Sequence, residues 1–142
     1  MVELIVTRGI PASGKSTWAK AWVAEDVRHR ARVERDMLRA MMHDSVWKGS
    51  HTENQIITAR DTLIKSLLRS GVSVVCSDTN LDLKTFNQLR YLAAEWGYGF
   101  KMQDFRDVPL TVCLSRNIRR KGKEFIPEDV IIGMHKRYVE GK

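Results

Sequence analysis

Gly9-Ile10-Pro11-Ala12-Ser13-Gly14-Lys15-Ser16-Thr17 follows directly on the apolar run Leu4-Ile5-Val6-Thr7. A strand that feeds a glycine-bearing turn into a helix aims successive backbone N–H groups at one place, and an anion is held there. The spacing G-x-x-x-x-G-K-[ST] is the one that cradles nucleotide phosphates, and a preceding strand and a following helix are the context it needs. Both are present, the helix beginning Thr17-Trp18-Ala19-Lys20-Ala21-Trp22-Val23. Gly9, Ala12, Ser13, Gly14, Lys15, Ser16 and Thr17 are therefore read as the binding loop of a nucleoside triphosphate such as ATP. Lys15 supplies a mobile cation for the outer phosphates and Ser16 a hydroxyl for Mg²⁺.

Outward from the loop, strands and helices alternate. Val2 to Thr7 reads as the first strand and Lys15 to about Asp26 as the first helix. A weak strand around Arg32 to Glu34 leads into a helix from Asp36 to about His43, whose Met37, Leu38, Met41 and Met42 recur at helical spacing and read as core. Val46 to His51 reads as a loop. In it Trp47 and His51 are either incidental or placed to stack on a base. An amphipathic helix spans Thr52 to Ser70, with Ile56, Ile57, Ala59, Leu63, Leu67 and Leu68 on its apolar side. Val72 to Cys76 is a buried strand, and Asp82 caps a helix reaching Trp96. Gly99 to Phe105 is a further strand. Helices from Pro109 to Arg120 and from Pro127 to Val139 close the chain, separated by a basic loop at Lys121 to Phe125. The alternation predicts an α/β fold: one parallel sheet of about four strands, helices on both faces and a small basic lid.

The 142 residues suit one domain, taken as 1–142, with no repeat or linker. Cys76 and Cys113, each in an apolar stretch, read as small core residues and fit a reducing, cytoplasmic setting. No apolar run reaches the roughly 18–20 residues of a membrane span, and the chain opens on a strand rather than a leader. The net charge of +7 suggests an anionic partner beyond the nucleotide. Basic residues concentrate at Arg28, Arg30, Arg32 and Arg35, and again from Arg116 to Lys123.

In open parallel sheets ligands bind beyond the carboxyl ends of the strands. The residues there are chemically useful. Asp36 and Arg39 lie three apart, on one helix face. They form either a proton acceptor beside a phosphate-holding guanidinium, or a capping acid with its ion-pair partner. Asp78 ends an apolar strand, where a carboxylate reaches Mg²⁺ or its water shell; Asp78-Thr79-Asn80 could equally satisfy its own turn. Arg116, Arg119 and Arg120 share a helix face, either solvated or closing over the phosphates as a lid.

Taken in order, Gly9 to Trp18, Arg35-Asp36-Met37-Leu38-Arg39, Ser77-Asp78-Thr79-Asn80-Leu81, Asp107-Val108-Pro109, Arg116-Asn117 and Ile126-Pro127 resemble the 5′-kinase domain of phage polynucleotide kinase over nearly the whole chain. The resemblance implies transfer of the γ-phosphate of ATP to the 5′-hydroxyl end of DNA or RNA. On that resemblance Lys15 and Ser16 hold the donor phosphates and Mg²⁺, and Asp36 is the general base. Arg39 grips the acceptor's phosphate, Arg120 meets the transferring group with Arg116 nearby, and Asp78 and Thr79 line the acceptor side. Two departures stand out: Glu34 occupies the place of a neutral amide, and Ala12 that of a loop glycine. The chain stops at Lys142, so a separate phosphatase or ligase is expected to complete end repair. Two rival readings use the same residues: a kinase of a small hydroxyl acceptor, and a non-catalytic nucleotide-dependent nucleic-acid-binding module.

Overall fold

Alternation along β1 (Glu3–Arg8) sorts the interior into two faces. Leu4 and Val6 point to one side, with Val74 and Cys76 of β3 (Ser73–Cys76) and Val33 of β2 (Arg30–Val33). Ile5 points to the other, with Val75. That period of two is the geometry of a strand buried on both faces. Each fully buried branched side chain there contributes roughly 1.5–3 kcal/mol. The computed structural model describes residues 1–44, 49–122 and 125–141. With β4 (Gly99–Asp104) the strands form a fully parallel sheet in the order β2-β3-β1-β4.

The first face is covered by α2 (Arg35–His43), α3 (Ser50–Arg69) and α4 (Leu83–Glu95), through Leu38, Ile56, Ile64, Leu68, Leu89 and Leu92. The second is covered by α1 (Lys15–Ala24), where Ala19 allows close approach and Trp18 and Trp22 stack over the sheet. A third apolar cluster lies under the phosphate loop. There Ile10 and Leu81 meet Cys113 of α5 (Leu110–Ile118) and Ile131 of α6 (Glu128–Met134). A π-helical stretch, His135–Glu140, ends the last helix. Cys76 and Cys113 are buried and free, as read from the sequence.

Several sequence expectations shift. Of the α2 residues read as core only Leu38 is buried, while Met37, Met41 and Met42 are exposed. The reason is that α2 meets α3 through charged groups as well as apolar ones. In α3 the inward stripe is Glu53, Ile56, Arg60, Ile64 and Leu68, so Ile64 takes the place given to Leu63, which is exposed. The basic cluster does not form one patch either. Arg30 pairs with Glu25, Arg32 with Glu34, and Arg35 with Glu53 and Asp78. β2 starts two residues earlier than expected, at Arg30, whose guanidinium lies over the Trp22 ring, its Cζ 4.7 Å from the centroid, and donates to Glu25 at 2.8 Å. His51 is exposed in the first turn of α3, and Trp47 lies outside the described residues. No described helix is long and apolar enough to cross a membrane.

Candidate active site

The loop after β1 needs its glycines for different reasons. A Cβ on Gly9 would lie 2.5 Å from Ser13 Oγ and 2.8 Å from Phe105 Cβ, whereas Gly14 adopts φ +103° to open α1. Ala12 also has positive φ, +67°, and its methyl group is buried in the cluster beneath the loop. A glycine would fit that backbone with less strain; burial of the methyl offsets part of the cost. Lys15 folds inward, its Nζ donating to Ile10 O at 2.7 Å. Burial, with Arg120 nearby, outweighs the attraction of Glu34 and brings its pKa down from 10.5 to about 8. An arriving phosphate would compensate that buried cation.

Across the cleft from the loop, the start of α2 is built by an ionic chain. Asp78, at the end of β3, accepts the Arg35 backbone N–H at 2.7 Å through Oδ1. Its Oδ2 faces Arg35 Nε at 3.2 Å and Arg60 Nη1 at 3.4 Å. Asp78 thus fixes the helix that carries Asp36. Arg39 is held by Glu53 at two points, Nε to Oε1 at 2.8 Å and Nη2 to Oε2 at 2.7 Å. Its remaining nitrogen, Nη1, donates to Asp36. The hydrogen bonds that Arg39 donates to Glu53, together with the charge of that carboxylate, raise the Arg39 pKa further. Asp36 does not cap α2, since Glu34 occupies the N-cap position, and its carboxylate is 72% exposed at the cleft.

Glu34 lies between the two halves. Its Oε2 accepts from Ser16 Oγ at 3.1 Å, Ser77 Oγ at 2.8 Å and Arg32 Nη1 at 2.9 Å. Ser16 Oγ and the nearby carboxylate form an all-oxygen donor set, the kind that suits Mg²⁺. Among the described residues no group of three or more His, Cys, Asp or Glu could hold an ion on its own. An ion bound here would therefore share its shell with phosphate and water, as Mg²⁺ does in phosphoryl-transfer sites.

From the other side, Arg116 Nη1 donates to Ala12 O at 3.2 Å. α5 ends at Ile118, two residues short of the expectation, so Arg120 lies beyond the helix and turns into the cleft. Arg119 is exposed and lines neither cavity. Buried Asn117 fixes the returning chain, donating to Ile126 O at 2.6 Å and accepting from Ile126 N–H at 3.1 Å.

Two cavities result. One, about 640 Å³, runs along Ser13, Gly14 and Thr17 past Trp18, Phe105 and Arg116. The other, about 190 Å³, is lined by Glu34, Asp36, Arg39, Asp78 and Thr79. They share Ala12, Lys15, Ser16 and Arg120. The site residues read from the sequence are therefore brought together, apart from Gly9, which acts within the loop. Sequence reasoning missed Glu53 and Arg60, and gave no role to Asn117, quoted only beside Arg116 in a motif. The signal for the first two was a charge at positions 53 and 60, in helical register with Ile56, Ile64 and Leu68.

A four-stranded parallel sheet with a phosphate loop after β1 and a charged cleft beyond its carboxyl edge defines a P-loop kinase. The chain belongs to the AAA domain family, whose model matches residues 4–140. It is 33% identical to the L-seryl-tRNA(Sec) kinase of Methanococcus maripaludis over 138 residues, 95% of this chain and 52% of the relative. It is 30% identical, over 97% of its length, to a protein of Autographa californica nuclear polyhedrosis virus assigned as a bifunctional polynucleotide kinase/RNA ligase, and covers 21% of it. The chain thus spans about half of the first relative and about a fifth of the second. A chain of the Pnkp1/Rnl/Hen1 RNA repair complex superposes with TM-score 0.83 at 25% identity, over 99% of this chain and 45% of that one. The Mycobacterium tuberculosis APS kinase CysC, solved with AMPPNP and APS, shares the fold at TM-score 0.67 and 18% identity, over 83% of this chain and 69% of its own.

Proposed function

We propose that this chain is a polynucleotide 5′-hydroxyl kinase, moving the γ-phosphate of ATP or another nucleoside triphosphate to the 5′ end of DNA or RNA. The observation that carries this reading is the meeting of two cavities at Lys15, Ser16 and Arg120, with Asp36 and Arg39 on the far side. A donor in the larger cavity would direct its terminal phosphate at that junction. An acceptor hydroxyl in the smaller one would face it from the opposite side. The likeness to the RNA repair chain and to the viral protein supports a polynucleotide as acceptor.

In the transfer, the acceptor oxygen bonds to the γ-phosphorus as the bond to the β,γ-bridging oxygen breaks. The hydroxyl proton passes to the Asp36 carboxylate. Positioning and charge neutralisation do most of the work in such reactions. Lys15 and Arg120 would meet the charge on the transferring group, and Arg39, oriented by Glu53, would hold an acceptor phosphate with its unused N–H groups. Ser16 is the residue that would hold Mg²⁺, which when bound neutralises the donor phosphates.

The test is incubation with γ-labelled ATP and a 5′-hydroxyl oligonucleotide. Label on the strand is expected, and its absence overturns the proposal. Strand binding should weaken with salt, log Kd changing by about 0.7 per log unit of salt for each phosphate contacted. Tight strand binding without transfer would instead mark a non-catalytic module. A second reading, a hydroxyl acceptor on a tRNA-borne or small molecule, is favoured by the 33% identity to the seryl-tRNA kinase. Label appearing on seryl-tRNA but not on the oligonucleotide would select it. A polynucleotide acceptor also implies a phosphatase or ligase, on another chain or another domain, acting on the same ends.

A further inference from the structure

We infer that Glu34 is the carboxylate that organises the metal shell at Ser16, a role the strand-end position of Asp78 would otherwise suggest. The inference rests on the donor half of the kinase reading and is independent of which hydroxyl accepts the phosphate.

The two acids differ in what already holds them. Asp78 is only 6% exposed, and its oxygens are taken up by the Arg35 backbone N–H and by the guanidinium groups of Arg35 and Arg60. It faces α2 and α3. Glu34 touches the phosphate loop directly, through the 3.1 Å bond from Ser16 Oγ to Oε2. A serine hydroxyl has one proton and two lone pairs. With the proton committed to Glu34, the lone pairs of Oγ are left for a cation.

The remaining contacts of Glu34 keep it in place. Ser77 and Arg32 bind the same oxygen, Oε2, and among the described residues Oε1 has no hydrogen bond. Glu34 lines the cleft beside Lys15 and Ser16. Oε2 therefore orients the Ser16 ligand, and Oε1 is available to a metal-bound water. This makes Glu34 a positioning residue for the metal and gives its charge a use on the donor side.

The probe is Mn²⁺, titrated into the protein–ADP complex with free Mn²⁺ followed by electron paramagnetic resonance. Loss of an outer-shell partner typically costs 10–100-fold in metal affinity, and Glu34→Gln is expected to weaken Mn²⁺ by that factor. ADP affinity measured in EDTA should stay within about twofold of the parent. Glutamine still accepts from Ser16 and Ser77, so a purely structural role predicts unchanged Mn²⁺ affinity, and that result overturns the inference. Equal loss of ADP affinity with and without metal overturns it as well. Glu34→Asp, which keeps the charge, should recover part of the metal affinity; an aspartate as weak as the glutamine also counts against it. No oligonucleotide enters this titration, so a failure of 5′-end labelling bears on the acceptor alone.

Discussion

Glu53 grips Arg39 with a two-point fork, Nε 2.8 Å from one carboxylate oxygen and Nη2 2.7 Å from the other. The fork comes from a different helix, α3, and it fixes the plane of the guanidinium before any acceptor arrives. A bidentate pair restricts direction as well as distance. The same carboxylate lies 3.2 Å from Arg35 Nη1, so one buried acid orients two cations beside Asp36.

Glu53→Ala should therefore act on both stability and acceptor binding. Removing one partner of a largely buried pair leaves uncompensated charge, at a cost of about 3 kcal/mol. The acceptor KM should rise several-fold more than that of ATP. Urea denaturation and separate saturation curves for the two substrates check both. An equal rise in the two KM values would contradict the orienting role.

Asp36→Ala should remove turnover with little loss of stability, because the carboxylate is exposed and, among the described residues, its hydrogen bond is with Arg39. General-base catalysis contributes roughly 10²–10⁴-fold, and kcat should fall by at least the lower figure. ATP affinity should be nearly unchanged. Residual activity near that of the parent would exclude Asp36 as the base.

The loop and the alternating elements were legible because their signals are local: a fixed spacing of glycines, and apolar residues at periods of two and 3.6. The cleft was legible in part. Lys15 is marked by the loop motif, Asp36 and Arg39 by their place after a strand, and Arg120 by its spacing from Arg116 on a basic stripe. Glu53 and Arg60 were passed over because they sit inside a helix read for its apolar stripe, and their partners lie 14 and 18 residues away in sequence. Pairing across such separations is set by tertiary packing. Likewise nothing local distinguishes Met37 and Met41 from core residues; their exposure follows from α2 turning Leu38 and its arginines inward.

Lys15 should make nucleotide binding pH-dependent. Its pKa falls from 10.5 to about 8 in the folded chain. Bound phosphate favours the protonated form and raises that value, so binding takes up a proton above about pH 8. Nucleotide affinity should be flat below that pH and weaken above it, by up to about tenfold per pH unit. Folding stability has the opposite slope. The unfolded chain binds more protons between pH 8 and 10.5, so this group's contribution to stability rises through that window. Calorimetric titration in buffers of different ionisation enthalpy measures the proton uptake directly. No uptake at pH 9 would mean that Lys15 is not the group meeting the phosphate.

Asp78 ties β3, α2 and α3 together, and its replacement should show in stability before chemistry. Asp78→Asn removes the charge facing Arg60, a guanidinium only 1% exposed with Asp61 as its remaining acidic partner. It also weakens the acceptor for the Arg35 backbone N–H. A loss of about 3 kcal/mol is expected, in the range for a broken buried pair. Under conditions where the variant is folded, its Mn²⁺ affinity in the presence of ADP should stay close to the parent, whereas that of Glu34→Gln should not. Thermal denaturation gives the first quantity and the Mn²⁺ titration the second. A stable Asp78→Asn protein that has lost the metal would return the metal role to Asp78 and reduce Glu34 to a tie between β2 and β3.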